Sequence, residues 1–496
     1  MTTMIQADAW VLGSYRKLDA LDVPAFHGNG LAAAQAPRRH SRAARLLPLT
    51  TRWPQQLQRF ADFVAGKPAT GLSTDSALQI VLRYCASPLR HEPLNSYRLH
   101  RAVASTRSFF PLQLQLLVRG EDGQLRRYRY LSEHHALEEV ALAAPAPELP
   151  ANCNMAIIGV GRYWLMAGKY AEFTPFAVTL EAGMVQAQLD HLTRMVGWQT
   201  EPLTISDGRW HQALGLADME SLGVAIGIRL ATPWQPPVAS HSAMVADWQP
   251  ASGIAQRFGR LAQLAALFDP AANRSPGTRH PAPPAAPAPV EPAQLKLGAA
   301  GEREVLTVLA ERSSGNDAVG FAPIAPPSDR AAFEQLMAVW QALSQQRQRL
   351  PGEEALTVSV AWLNPAGEPI GLYDLQGQPL HGQADPRAFV RQLEASLPHQ
   401  LFRFNMAALS YVFLIGADIP AATARHGDFA LRRLHLAAGA VAQDISLALT
   451  AFGMFARPVR MLKEMDLASS WNLADYPVYQ LLAGFNRSAN WAMELM

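Results

Sequence analysis

Lys169 and Tyr170 are adjacent in Gly168-Lys-Tyr-Ala-Glu-Phe173, an ammonium beside a phenol. Free lysine and tyrosine titrate near 10.4 and 10, so neither is a base at neutral pH unless its surroundings shift it. A neighbouring cation in a buried site could bring the phenol into a range useful for proton transfer. The same pair also fits a partly buried aromatic with a snorkelling lysine next to it. The stretch returns 256 positions later as Ala424-Arg-His-Gly-Asp-Phe429. Lys169 lies 12 residues before Glu181 of Leu180-Glu-Ala-Gly183, and Arg425 lies 12 before Ala437 of Leu436-Ala-Ala-Gly439. The spacing is shared but the chemical groups are not.

Two further groups could bind a ligand. Ser105, Thr106 and Ser108 stand in Ala104-Ser-Thr-Arg-Ser-Phe-Phe-Pro111 ahead of a strand-like run. There they can offer N–H and hydroxyl donors to a planar edge, or form an ordinary polar turn. Arg312, Ser313 and Asn316 follow a helix-like stretch. A guanidinium fork beside hydroxyls suits a phosphate monoester, while a solvated helix end capped by Gly315 accounts for the same residues. Gly159-Val-Gly161 fails as a dinucleotide loop because Trp164 stands where the third glycine belongs. None of the 14 histidines forms an HExxH-type pair, and there is no Gly-x-Ser-x-Gly elbow or Walker loop. The reading therefore includes no metal site.

These groups need elements to hold them, and the elements also come twice. Helical patterns cover Ser76 to Tyr84 and Arg330 to Leu343. Strand patterns follow at Leu112 to Val118 with Tyr128 to Tyr130, and at Leu356 to Trp362 with Gly371 to Tyr373. Gly120 to Gly123 and Asn364 to Gly367 are the intervening turns. Met155 to Gly159 and Tyr411 to Gly416 lead into the repeated motif, and each half closes on a strand, Leu222 to Leu230 or Pro477 to Ala483. A Pro/Ala-rich spacer, 270–292, separates the copies. The expected organisation is an extension 1–65, a first domain 66–269, the spacer, and a second domain 293–496.

At 496 residues the chain exceeds one core, and 49% hydrophobic with 17% charged residues fits an ordinary globular protein. A net charge of +2 gives no field favouring nucleic acid or an anionic membrane. Cys85 and Cys153 form no redox or metal spacing, as expected in a reducing compartment. With no signal-like N-terminus and no apolar run of spanning length, a cytoplasmic location is expected.

Taken together, these segments resemble the nitroreductase-like flavoproteins, and more closely the azoline dehydrogenases of the SagB/McbC type. Ala104 to Pro111 is similar to that family's Pro-Ser-Ala-Gly-Ala-x-Tyr-Pro segment, with Arg107 in place of the glycine and Phe110 of the tyrosine. Tyr128-Arg-Tyr130 with His135-Ala-Leu-Glu138 looks like a second family stretch, and Lys169-Tyr170 with Glu181-Ala-Gly183 a third. Arg312-Ser313 resembles the Arg-Ser that binds the FMN phosphate, and Tyr476 to Gly484 with Arg487 the terminal strand and its trailing basic residue. The motifs are shared out unevenly. No Arg-Ser stands near Gln58-Arg59, and no serine segment near Leu350-Pro-Gly-Glu353.

The resemblance implies an α+β chain of two tandem nitroreductase-like domains, each a mostly antiparallel sheet flanked by helices, forming an intrachain pseudo-dimer that is monomeric or weakly dimeric. It assigns catalysis to Lys169 and Tyr170. One FMN would be bound by Arg312, Ser313, Asn316, Ser105, Thr106, Ser108 and Arg487. The implied reaction oxidises a thiazoline or oxazoline ring on a peptide or carrier-bound substrate, with Tyr170 or Lys169 as the base that takes the proton, hydride passing to FMN, and a cyclase as a possible partner. Two other readings stand: an NAD(P)H-dependent reductase of dehydroamino acids or similar alkenes, and a non-catalytic scaffold with eroded flavin sites.

Overall fold

The computed structural model describes residues 38–49, 54, 56–95, 97–203, 208–217, 219–237, 240–250, 268, 297–317, 320–382, 385–397, 405–460, 463–487 and 492–495. The expected spacer, 270–292, lies outside the described residues. In the first half run β1 (Arg38–Pro48), helix α1 (Thr74–Ala86), the short β2 (Arg90–His91) and β3 (Leu99–His100), β4 (Leu112–Arg119), β5 (Leu125–Leu131), β6 (Ala136–Val140) and β7 (Met155–Arg162). Helices α2 (Tyr163–Tyr170) and α3 (Thr174–Met195) follow, then β8 (Gln199–Pro202), β9 (Glu220–Arg229) and β10 (His241–Gln249). Eight of these strands form one antiparallel sheet in the order β10-β1-β6-β5-β4-β7-β9-β8.

The second half holds α4 (Val305–Glu311), β11 (Asn316–Asp317), β12 (Gly320–Phe321), β13 (Pro323–Ile324), α5 (Arg330–Gln346), β14 (Leu356–Trp362), β15 (Gly371–Tyr373), β16 (Pro379–Gly382) and β17 (Tyr411–Ala417). It continues with α6 (Ile419–His426), α7 (Ala430–Ala451), β18 (Phe455–Val459), β19 (Tyr476–Asn486) and β20 (Met493–Glu494). Its sheet runs β13-β19-β17-β14-β15-β16, with β18 also on β19. The pairing registers of the two halves agree. Leu112 faces Gly161 and Val118 faces Met155 in one, and Leu356 faces Ala417 and Trp362 faces Tyr411 in the other. The irregularity between Gly159 and Val160 returns 256 residues later between Ile415 and Gly416. Helices α2 and α6 each end on a left-handed residue, Ala171 at φ 43 and Gly427 at φ 55, which turns the chain into α3 or α7.

Helices α3 and α7 cross at glycines. A Cβ added to Gly183 would sit 1.9 Å from the Leu436 carbonyl oxygen, and one on Gly439 2.0 Å from that of Leu180. Each contact is therefore the other with the halves exchanged, which is the self-complementary form of a two-fold interface. Both helices are buried on nearly every face, and one hydrophobic cluster spans the two halves. That explains why α7 is apolar enough to resemble a membrane span. Several polar groups in this core are partnered. His191 Nε2 lies 2.7 Å from Asp444 Oδ1, Arg347 Nε donates to Asp444 Oδ2 at 2.6 Å, and Gln443 donates to Gln188 at 2.8 Å.

One boundary differs from expectation. Residues 1–65 do not all lie outside the first domain, because β1 is built into its sheet, and β10 lies beyond the strand expected to be last. This edge combines a small apolar cluster, Ala44, Leu46, Ala136 and Val245, with charge pairs. Arg42 and Arg129 each engage both Glu138 and Asp247.

Candidate active site

The cavity between the halves is about 450 Å³, within the range of small-molecule and cofactor sites. The first half contributes the loop Ser105 to Phe110, the end of α2 with Lys169 and Tyr170, and Leu180, Glu181 and Met184 of α3. The second half contributes Arg312, Ser314 and Asn316 after α4, Arg457 to Arg460 at β18, and Tyr479 of β19. Neither half encloses the space alone.

The second half supplies an anion grip. Arg312 is buried, with its Nε donating to the Arg101 carbonyl at 3.0 Å and Nη1 to Ser314 Oγ at 2.9 Å. Burial, then the nearby Arg90, pulls its guanidinium down to about 10, so it remains a cation at neutral pH. Arg457 donates to Asn316 Oδ1 at 2.7 Å and lies over the Phe321 ring at 4.5 Å. Arg460 pairs with Glu464 and sits 5.7 Å from the centres of the Phe173 and Phe176 rings.

The first half supplies titratable groups. Glu181 is 6% exposed, accepts from Ser105 Oγ at 2.7 Å and is also bonded by the Thr106 N–H. Burial outweighs those bonds and the pull of Arg101, pushing its carboxyl up to about 7. Ser105 Oγ in turn accepts the Phe110 N–H at 2.9 Å, fastening a loop in which Arg107, Ser108 and Phe110 all have positive φ. The Tyr170 phenol departs from expectation. Burial raises it to about 12, and the cation that opposes this is Arg107, not Lys169. Adjacent residues on a helix do not face each other, which is why Lys169 fails to serve its neighbour. Lys169 itself is lowered, first by burial and then by Arg107.

No family model matches the sequence, and no curated protein matches it. Among solved structures, the chain is similar to a putative nitroreductase from Anabaena variabilis, with a TM-score of 0.61 at 13% identity. That likeness covers 89% of this chain and 94% of the other, so it runs through both halves. The fold is nitroreductase-like. Weaker likenesses are to a putative nitroreductase from Ralstonia eutropha (TM-score 0.29, 13% identity, 41% of this chain and 96% of that one). A second is to the E. coli microcin synthetase McbBCD complex with truncated pro-MccB17 bound (TM-score 0.26, 16% identity, 31% and 63%).

Within the cavity between the halves, Ser105, Thr106, Ser108, Lys169, Tyr170, Arg312 and Asn316 meet. Two others do not. Ser313 Oγ accepts the Gly315 N–H at 3.1 Å and is not among the lining residues, whereas the next residue, Ser314, is. Arg487 is exposed just past the end of β19 and away from the cavity. The basic groups that do reach it are Arg457 and Arg460. Their signal in the sequence is two arginines flanking Pro458-Val459 in an apolar stretch. Glu181 was visible as part of a motif but not as a chemical group.

The equivalent position in the second half is closed. His426 Nε2 donates to Glu354 Oε1 at 2.7 Å, His426 Nδ1 accepts from Arg433 at 2.6 Å, and Arg425 pairs with Glu354 at 3.3 Å. Ala437, fully buried, stands where Glu181 stands in the first half.

Proposed function

We propose that the chain is an FMN-dependent dehydrogenase that converts an azoline ring to an azole, with one flavin bound between its halves. The observation carrying this reading is the single cavity that gathers an arginine-rich grip from one half and Lys169, Tyr170 and Glu181 from the other. The residues present suit the cofactor. Arg312, Ser314, Asn316 and Arg457 match a phosphate, while Ala104, Leu180 and Met184 offer apolar surface to a planar ring. FMN bound there would supply the hydride-accepting centre.

The chain's own residues handle the proton. Azoline oxidation removes one ring hydrogen as hydride and one, next to a carbonyl, as a proton. Tyr170, with its phenol near 12, keeps its proton at neutral pH and donates a hydrogen bond to that carbonyl oxygen. Glu181, near 7, is substantially ionised and takes the proton at its carboxylate. Lys169 supports the developing negative charge. The ring itself comes from a separate cyclase, and the substrate is a peptide, a carrier-bound intermediate or a free ring.

The test is direct. Purified protein should carry close to one FMN per chain and convert a thiazoline to a thiazole, with Glu181→Gln and Tyr170→Phe losing turnover but keeping the flavin spectrum. A colourless protein that cannot be loaded would sink the proposal in favour of a scaffold, and NAD(P)H-driven alkene reduction without azoline oxidation would reverse its direction.

A further inference from the structure

Arg107, Lys169 and Arg457 all line the cavity, and none has a carboxylate partner among the described residues. The one carboxylate that lines it, Glu181, is held by Ser105 and the Thr106 N–H. Burial first, and then the like charge of Arg107, lowers the proton affinity of both Lys169 and Arg457, so the three cations stand near one another. Arg457 is tied to Asn316 within the phosphate grip. Arg107 also bonds the Tyr170 hydroxyl and is close enough to Lys169 to lower it.

Arg107 is also costly where it stands. Its φ of 47 is left-handed, a conformation that disfavours any side chain and suits glycine. A glycine there would relieve the strain. Arg107 is exposed and lines the cavity, so the strained backbone there presents a solvated charge to a ligand.

Resting on the flavin reading above, we infer that Arg107 and Lys169 form a substrate subsite for a compact oxyanion, so that the ring oxidised here carries a negative group rather than a neutral peptide amide. Two sources share this chemistry: the carboxylate of a small azoline acid, and the phosphate of a carrier's pantetheine arm. The planar fork of Arg107 suits either, with the Lys169 ammonium as a second point charge.

Calorimetric titration of the full-length protein with three probes tests this: thiazole-4-carboxylate, thiazole-4-carboxamide and 4′-phosphopantetheine. The carboxylate should bind about tenfold or more tightly than the carboxamide, with the advantage shrinking in high salt. Preference for phosphopantetheine over the carboxylate would instead identify the carrier arm as the source. Arg107→Gly and Lys169→Ala should each remove most of the discrimination. Because glycine suits that backbone, Arg107→Gly should melt no lower than the parent, so its loss of binding cannot be blamed on misfolding. Equal binding of carboxylate and carboxamide with no phosphopantetheine preference, or full discrimination in Arg107→Gly, would overturn the inference. So would loss of flavin from Arg107→Gly, which would assign Arg107 to the cofactor grip. A colourless protein that still discriminates would defeat the flavin reading and leave the subsite standing, and a yellow protein that does not would do the reverse.

Discussion

At positions 256 apart, the first half carries Lys169, Tyr170 and Glu181 and the second carries Arg425, His426 and Ala437. The backbones around them match in helix length, in strand register and in the left-handed residue that ends the short helix. The surroundings do not match. One set faces a cavity, while in the other Arg425 and His426 are engaged with Glu354 and Ala437 lies in the core. The backbone therefore fixes where a group stands, and its neighbours decide whether it is available for chemistry.

The sharpest way to break this contrast is at Glu181 and Ala437. Glu181→Gln should lower turnover by about 10²–10⁴-fold with flavin retained, as for loss of a positioned proton acceptor. Ala437→Glu should leave turnover per folded molecule unchanged but lower the melting temperature sharply, because it buries a carboxylate without a partner. If Ala437→Glu instead created a second active centre, the second half would not be closed.

The helix crossing tests the symmetry itself. Gly183→Ala and Gly439→Ala place a methyl about 2 Å from a backbone oxygen, so each should cost about 3 kcal/mol or more in denaturant unfolding. The two should cost similar amounts, and the double variant less than their sum, since both changes push on the same crossing. A much larger cost at one glycine would show that the halves do not share the crossing equally.

A smaller effect comes from pH. The folded value of Glu181, about 7, lies above the ordinary 4.5, so the folded protein holds that proton more tightly than the unfolded chain. Its contribution to stability is complete below about 4.5 and is lost as pH rises through 7, while turnover should rise over the same interval. Glu181→Gln should therefore gain stability over the parent at pH 8 and not at pH 4. The smallest effect is expected at Arg425, whose pair with Glu354 is largely exposed. Arg425→Ala should change stability by no more than about 0.5 kcal/mol.

Much of the architecture could be read from the chain because its signals were local. The alternation in Leu112 to Val118 and the apolar run of Tyr411 to Gly416 become β4 and β17, and the proline-marked turn at Asn364 separates β14 from β15. What escaped depended on distant partners. β1 shows only a short apolar alternation, Ala44 and Leu46, and its Arg42 answers Glu138 and Asp247, the latter about two hundred residues away. Arg457 reaches the cavity only because β18 pairs with β19, a registration no local pattern reveals. Arg487 looked equivalent but lies just past the paired part of that strand. The choice between Ser313 and Ser314 turned on one residue of phase, which sequence spacing does not resolve.

The glycine crossing also bears on how such a site can change over time. When two identical subunits meet at a two-fold axis, every substitution arises twice and must be tolerated at both ends. Here α3 and α7 keep the geometry of such a meeting, yet each belongs to its own stretch of one chain. A glutamate that burial makes costly can therefore be kept on one side and dropped on the other, and a strained arginine can be tried once. A chain that carries both halves places two independent constraints where a symmetric pair has one, so one site can differ from the other.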